Sequence, residues 1–249
     1  MTEIHSFEHA NDFTLTQYDI PYGIEKISDY AFFMCSNLEH ITIPNSVKYV
    51  GANAFGKCHS LRSICFPNSV EFIGNEVCHR CLRLEQVTIP KSITYISKEA
   101  FARCYSLKKV NWHDDITLID DNAFAFCYSL ENLEMPKKLK RTRESSVGGC
   151  KLKYVKFHDG FESLGYTTFS LCQELVSVDF PETTIEIGLE AFEECSSLSK
   201  IRIPHNVKKL GMHTFFKCHK LKNVFLPNGI IVDPSAFNQC ENVNIQKYE

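Results

Sequence analysis

The sequence predicts an α/β repeat solenoid, a stack of short parallel strands joined by short helical turns or irregular coil. Three observations predict it. The stretch Ile41-Thr-Ile-Pro-Asn-Ser-Val-Lys-Tyr-Val-Gly-Ala-Asn-Ala-Phe-Gly-Lys-Cys58 recurs along almost the whole chain. Its anchor Pro44 is matched by Pro21, Pro67, Pro90, His113, Pro136, His158, Pro181, Pro204 and Pro227, a step of 23 residues with one step of 22. Fourteen residues after each anchor stands a cysteine (Cys35, Cys58, Cys81, Cys104, Cys127, Cys150, Cys172, Cys195, Cys218), with Cys240 one residue early. A fixed period of this size marks supersecondary units that bury their apolar faces only by stacking.

Taken in order, residues 1–14 carry no clean repeat and read as an N-terminal cap. About ten repeats occupy 15–240, and 241–249 read as a terminal half-repeat, so residues 1–249 form a single elongated domain with no linker. Each repeat opens with Leu-x-x-Ile-x-Ile (Leu38, Ile41, Ile43; Leu61, Ile64, Phe66; Leu84, Val87, Ile89), whose closing alternation is the period of a strand. Proline ends the strand because it has no N–H for a ladder. Then come two inward valines, as at Val47 and Val50, and a glycine at positions 51, 74, 165, 188 and 211. That glycine allows a turn with positive φ, but Ser28, Ser97 and Asp120 stand there in other repeats, so positive φ is not required in every coil. Ala-Phe-x-x-Cys closes the coil. Its spacing predicts one turn of tight helix, with the phenylalanines stacked as an aromatic column.

Composition narrows the function. A formal charge of -3 argues against a nucleic-acid binder, which shows a basic footprint. Ten of the twelve cysteines are one repeat position seen ten times, so they read as small buried groups with a weak S–H donor rather than a disulfide framework. The first residues have neither the basic start nor the apolar run of a signal peptide, and no segment is long enough to span a bilayer. A cytoplasmic setting is expected, with the cell surface as the alternative if the sequence lacks a natural leader or anchor.

The recurring Leu-x-x-Ile-x-Ile-Pro-x-Ser-Val-x-x-Ile-Gly-x-x-Ala-Phe-x-x-Cys resembles the BspA-like leucine-rich repeat family over about residues 15–245. The resemblance implies a curved solenoid with its parallel sheet on the concave side, used for protein–protein contact. It also implies cell-surface relatives, and it brings no catalytic residue and no cofactor. Two repeats depart from the pattern. In the third, Val77-Cys78 replaces Ala-Phe. In the sixth, Arg143 replaces the glycine, Val147 replaces the phenylalanine, and one residue is dropped before Leu152. This coil is expected to pack less well.

Several constellations invite chemistry. Cys78-His-Arg-Cys81 has the spacing of a half zinc site, but no second pair accompanies it, so no metal is expected. No nucleophile elbow, P-loop or dinucleotide fingerprint occurs, and no enzyme is expected. Lys137, Lys138, Lys140, Arg141 and Arg143 form a basic run that reads as a solvated loop or as a patch for an acidic partner. Arg62-Ser-Ile64-Cys-Phe66, Lys109-Val110-Asn-Trp112 and Lys153-Tyr-Val155-Lys-Phe157 match the docking motif of protein phosphatase 1 regulators. The repeat itself writes those residues, however, and the fold should bury them.

The expected function is therefore non-enzymatic: a protein-interaction scaffold or adaptor, with phosphatase regulation as one specific version. The alternative is a cell-surface adhesion or recognition protein. The outward rows of the strands offer Lys109, Asn111, Glu134, Tyr154, Lys156, Asp179, Lys200, Arg202 and Phe225 as the partner-binding face. Tyr, Arg and exposed Phe are the residues that binding hot spots favour. The alternation of Val243, Ile245 and Tyr248 suggests homo-oligomers formed through the C-terminal end.

Overall fold

The computed structural model describes residues 2–249. The chain winds as a parallel β-solenoid of leucine-rich repeat type with about eleven turns. It resolves into two compact units. The first runs to His113 and includes Ala123–Leu130, and the second comprises Asp114–Asn122 and Glu131–Glu249.

Each coil of the first unit contributes two strands. Three-residue strands form at Gln17–Asp19, His40–Thr42, Ser63–Cys65, Gln86–Thr88 and Lys109–Asn111, where the Leu-x-x-Ile-x-Ile segments lie. Two-residue strands form at Glu3–Ile4, Lys26–Ile27, Tyr49–Val50, Phe72–Ile73 and Tyr95–Ile96. All pairs are parallel and keep the repeat register, for example Ile64 opposite Val87 and Val50 opposite Ile73. That register reaches back into the segment where the sequence shows no repeat. Glu3–Ile4 pairs with Lys26–Ile27, and the amides of His9 and Asn11 donate to Ala31 and Phe33.

The second unit repeats this plan. Its longer strands are Tyr154–Lys156, Ser177–Asp179, Lys200–Arg202, Asn223–Pro227 and Asn244–Tyr248, the last pairing with Asn223–Pro227 over five residues. No strand forms over residues 131–135, although Leu133 and Met135 are buried and Glu134 is exposed as strand alternation requires. The ladder is also open between Ser177–Asp179 and Lys200–Arg202.

The Ala-Phe-x-x-Cys segments are not helical. The amides of Tyr30, Phe32 and Met34 donate to Ala52, Ala54 and Gly56 of the next coil at 2.9, 2.8 and 2.8 Å. The amides between them, on Ala31, Phe33 and Cys35, close turns onto Ser28, Tyr30 and Phe32. A helix would keep every bond within its own coil. Here alternate amides are spent along the stack, and two residues per coil turn left-handed to allow it. Tyr30 and Met34 have φ of 60° and 61°, and Asn53 with Lys57 and Glu99 with Arg103 repeat the device. The glycines at 51, 74, 165, 188 and 211, which would allow it, do not take positive φ. Gly188 is there because a Cβ would sit 2.6 Å from the backbone of Gly165 in the coil before.

The cysteine ladder has a defined role. Cys58, Cys81 and Cys195 donate S–H to the carbonyls of Phe32, Phe55 and Phe169, each at 3.1 Å. The same phenylalanine carbonyl also accepts the amide of the cysteine in its own coil, as Phe32 does from Cys35. One carbonyl thus serves two coils with both lone pairs. All twelve cysteines are free thiols; Cys65 is exposed, Cys240 half-buried and the rest buried. Burial pushes the thiols of Cys58, Cys78, Cys104, Cys172 and Cys195 well above their ordinary range. Beside the ladder runs the aromatic column. Phe169–Phe192, Phe192–Phe215 and Phe215–Phe237 stack with centroids 5.5, 5.2 and 5.2 Å apart. In the sixth repeat Val147 is fully buried in place of phenylalanine, and a hydroxyl pair, Thr142 with Thr168 at 3.2 Å, enters the interior.

Candidate functional site

Strand alternation decides which side chains reach solvent. In the first unit, Lys109 is exposed on its strand, and Asn111 is half-buried with its amide donating to Thr88 at 3.3 Å. The second unit holds the other predicted residues. Tyr154 and Lys156 stand opposite Ser177 and Asp179, so Lys156 faces a carboxylate across the ladder. Lys200 and Arg202 stand opposite Asn223 and Phe225. Where the ladder opens between Ser177–Asp179 and Lys200–Arg202, a cavity of about 450 Å³ forms. Asp179, Phe180, Lys200, Arg202 and Phe225 line it. The structure thus gathers four of the predicted residues around one opening. Tyr154, 65% exposed, and Lys156 lie on the neighbouring strand, while Glu134 sits on a segment with no strand.

Arg202 is already engaged. Its guanidinium donates to Glu182 at 2.5 Å and lies 4.4 Å from the ring centre of Tyr248 on the last strand. The Tyr248 hydroxyl donates to the Ile203 carbonyl, and the His205 amide donates to Glu182 at 3.0 Å. Burial would raise the Glu182 carboxyl, but the bonds from Arg202 and His205 outweigh it and hold the group below its ordinary range. Nothing local in the sequence marks this contact, because Tyr248 lies 46 positions beyond Arg202.

The basic run does not present five unopposed charges. Lys137 and Lys138 bond to Asp114 and Asp115 at 2.7 and 2.6 Å. Arg143 lies 3.4 Å from Asp120, and Arg141 3.8 Å from Glu162. Lys140 is exposed. The phosphatase motifs are strands, as the repeat dictates. Ile64, Phe66, Val155 and Phe157 are only 2 to 3% exposed, and Val110 and Trp112 are half-buried.

Cys78 and Cys81 are buried, and Cys81 donates to Phe55. The metal-like spacing lies beside them, in residues the sequence reading passed over. Ligand atoms of Glu76, His79 and Glu99 lie within 4.8 Å of one another, with His79 Nδ1 3.1 Å from Glu76 and 3.8 Å from Glu99. One imidazole and two carboxylates suit a first-row divalent cation. Coordination through Nδ1, however, would put the ring proton on Nε2, which is buried without a hydrogen-bond partner. The tautomer with Nδ1–H donating to Glu76 accounts for the contacts by itself. The signal was available: Glu76 and Glu99 occupy one repeat position in successive coils.

The model of the BspA type leucine-rich repeat region matches in six copies, over residues 2–131 and 117–244. The chain belongs to that family. Among solved structures, this BspA type chain is similar to a leucine-rich repeat protein from Bacteroides ovatus, at 23% identity and a TM-score of 0.62, covering 100% of this chain and 88% of that one. The pneumococcal vaccine antigen PcpA is 22% identical with a TM-score of 0.68, over 100% of this chain and 74% of the other. A leucine-rich repeat protein from Eubacterium ventriosum is 16% identical with a TM-score of 0.54, over 97% and 81%. These likenesses show the fold. None of the curated proteins compared with the chain matches it. Among the described residues no helix is long and apolar enough to cross a membrane.

Proposed function

We propose that this BspA type chain is a non-catalytic recognition protein of the cell-surface kind, and that it binds another protein on the solvent side of its three-residue strands. Family membership supports the recognition role. The observation that carries the binding face is the cavity between Ser177–Asp179 and Lys200–Arg202, where Lys200, Asp179 and Phe225 meet beside exposed Tyr154 and Lys156. An aromatic ring, charges of both signs and an apolar floor are what a protein hot spot uses. An adaptor inside the cell is the second reading. Its phosphatase version has less support, because a docking motif must lie free in the partner's groove, whereas these three are part of the stacked strands.

The test uses the intact chain as bait on surface and soluble fractions of its source cell, kept separate. Tyr154→Ala combined with Lys156→Ala should lower recovery of the captured protein about tenfold without changing the melting temperature, since both side chains face solvent. Undiminished recovery would refute the face. Protease treatment of intact cells should digest the chain, and full protection would favour the adaptor reading.

A further inference from the structure

We infer that the chain pairs with a second copy of itself along one flank of its second unit. The position eight residues after each anchor lies at the corner where the two-residue strand ends. In the first unit it holds Asp29, Ala52, Asn75 and Lys98, and the second unit begins with Asp121 and Glu144. It then turns apolar while remaining in solvent. Tyr166, Leu189 and Met212 are 53%, 39% and 44% exposed. Exposed Pro234 continues the column, two residues past Val232 as Met212 is past Leu210, and those two are ladder partners. Four coils at ~4.8 Å spacing make a stripe roughly 15 Å long.

A second row runs beside it: Ser163, Glu186, Lys209 and Ile231. A groove of about 420 Å³ lies beside the Tyr166 end of the stripe, lined by Ser163, Tyr166 and Glu186 and by Asp121, Arg141 and Glu144 of the preceding coils. An exposed apolar stripe rimmed by charge marks an interaction surface.

The order of residues along both rows selects the occupant. Reversed by a two-fold axis between the coils of Leu189 and Met212, the stripe meets itself. Leu189 falls against the partner's Met212, and Tyr166 against the partner's Pro234. The same rotation sets Glu186 against the partner's Lys209, and Glu190 against the partner's His213, each pair made twice. A parallel arrangement, with the axis along the stripe, would also lay apolar on apolar but would set Glu186 against the partner's Glu190, carboxylate on carboxylate. Self-complementarity under a two-fold axis is the condition for an isologous dimer.

Sedimentation equilibrium of the full chain over about 1–200 µM tests this, a range that brackets the affinity of a narrow contact. The expected result is a reversible dimer. Glu186→Lys alone and Lys209→Glu alone should each weaken it about tenfold by opposing like charges, and the two changes combined should restore it. Both side chains are exposed, and circular dichroism checks that each variant folds; Met212→Lys is a further disruptor should one of them fail to. A monomer throughout the range overturns the inference, as does a dimer that survives the single charge changes. A dimer lost only when Val243 and Ile245 become Lys would place the contact at the last strand and overturn it equally.

Discussion

Raising the pH should destabilise this protein through its thiols. Cys58, Cys78, Cys104 and Cys172 are held well above their ordinary value of 9.0, first by burial and then by neighbouring cysteines. Burial alone raises Cys195, and for Cys218 the contact with Cys240 leads and burial follows. A folded-state pKa above the unfolded one gives stabilisation that is complete below the unfolded pKa and lost as pH rises past it. At pH 10, one unit beyond the unfolded thiol, each such cysteine should cost folding about 1.4 kcal/mol. Three of the six lie in each compact unit, so each unit should lose roughly 4 kcal/mol, a large part of a domain's total of about 5–15 kcal/mol. The assay is the guanidinium midpoint at half-unit steps from pH 7 to 10 under reducing conditions, with the ultraviolet absorbance of thiolate followed in parallel. The midpoint should hold to pH 8 and then fall steeply, with thiolate beyond that of the two accessible cysteines, Cys65 and Cys240, appearing only as structure is lost. A midpoint that stays level to pH 10, or thiolate absorbance exceeding two cysteines while circular dichroism stays native, would refute the reasoning.

Two substitutions test the packing. Phe192→Ala removes a fully buried ring stacked on both sides and should cost about 3–5 kcal/mol, read from urea unfolding. Gly188→Ala adds a methyl where the preceding coil's backbone already lies, and should cost at least about 1–3 kcal/mol although no left-handed φ is involved; an unchanged midpoint would show that the coils can part without penalty.

The repeat made the architecture legible because every coil solves the same burial problem. Leu38, Ile41, Phe55 and Cys58 announce their inward faces by spacing alone. The turns were misread as helix because left-handed backbone has no signature in residues such as Glu99, Arg103 or Leu171, and the glycines that suggested it serve close approach instead. The partners of the basic run were missed for the opposite reason: the signal existed but lay one period away. Lys137 and Lys138 find Asp114 and Asp115 at a separation of 23, as Arg62 finds Glu39 and Lys217 finds Glu194. In a stacked repeat, a basic run should be read against the residues one coil earlier before it is called a patch. The candidate site was legible as far as strand alternation goes, which put Tyr154, Lys156, Asp179 and Lys200 in solvent. The opening of the ladder and the hold of Tyr248 on Arg202 come from packing, and no local pattern carries them.

The alternating turn amides and the thiol bonds give the coils a mechanical property. Both kinds of link join one coil to the next, so a coil pulled from its neighbour gives up its amide and thiol bonds together. When that coil yields, its 23 residues are released as free tether, about 75 Å of slack, while the neighbouring coil keeps its own strands and turns. Such a stack would lengthen in steps under load, one coil at a time, rather than failing at once.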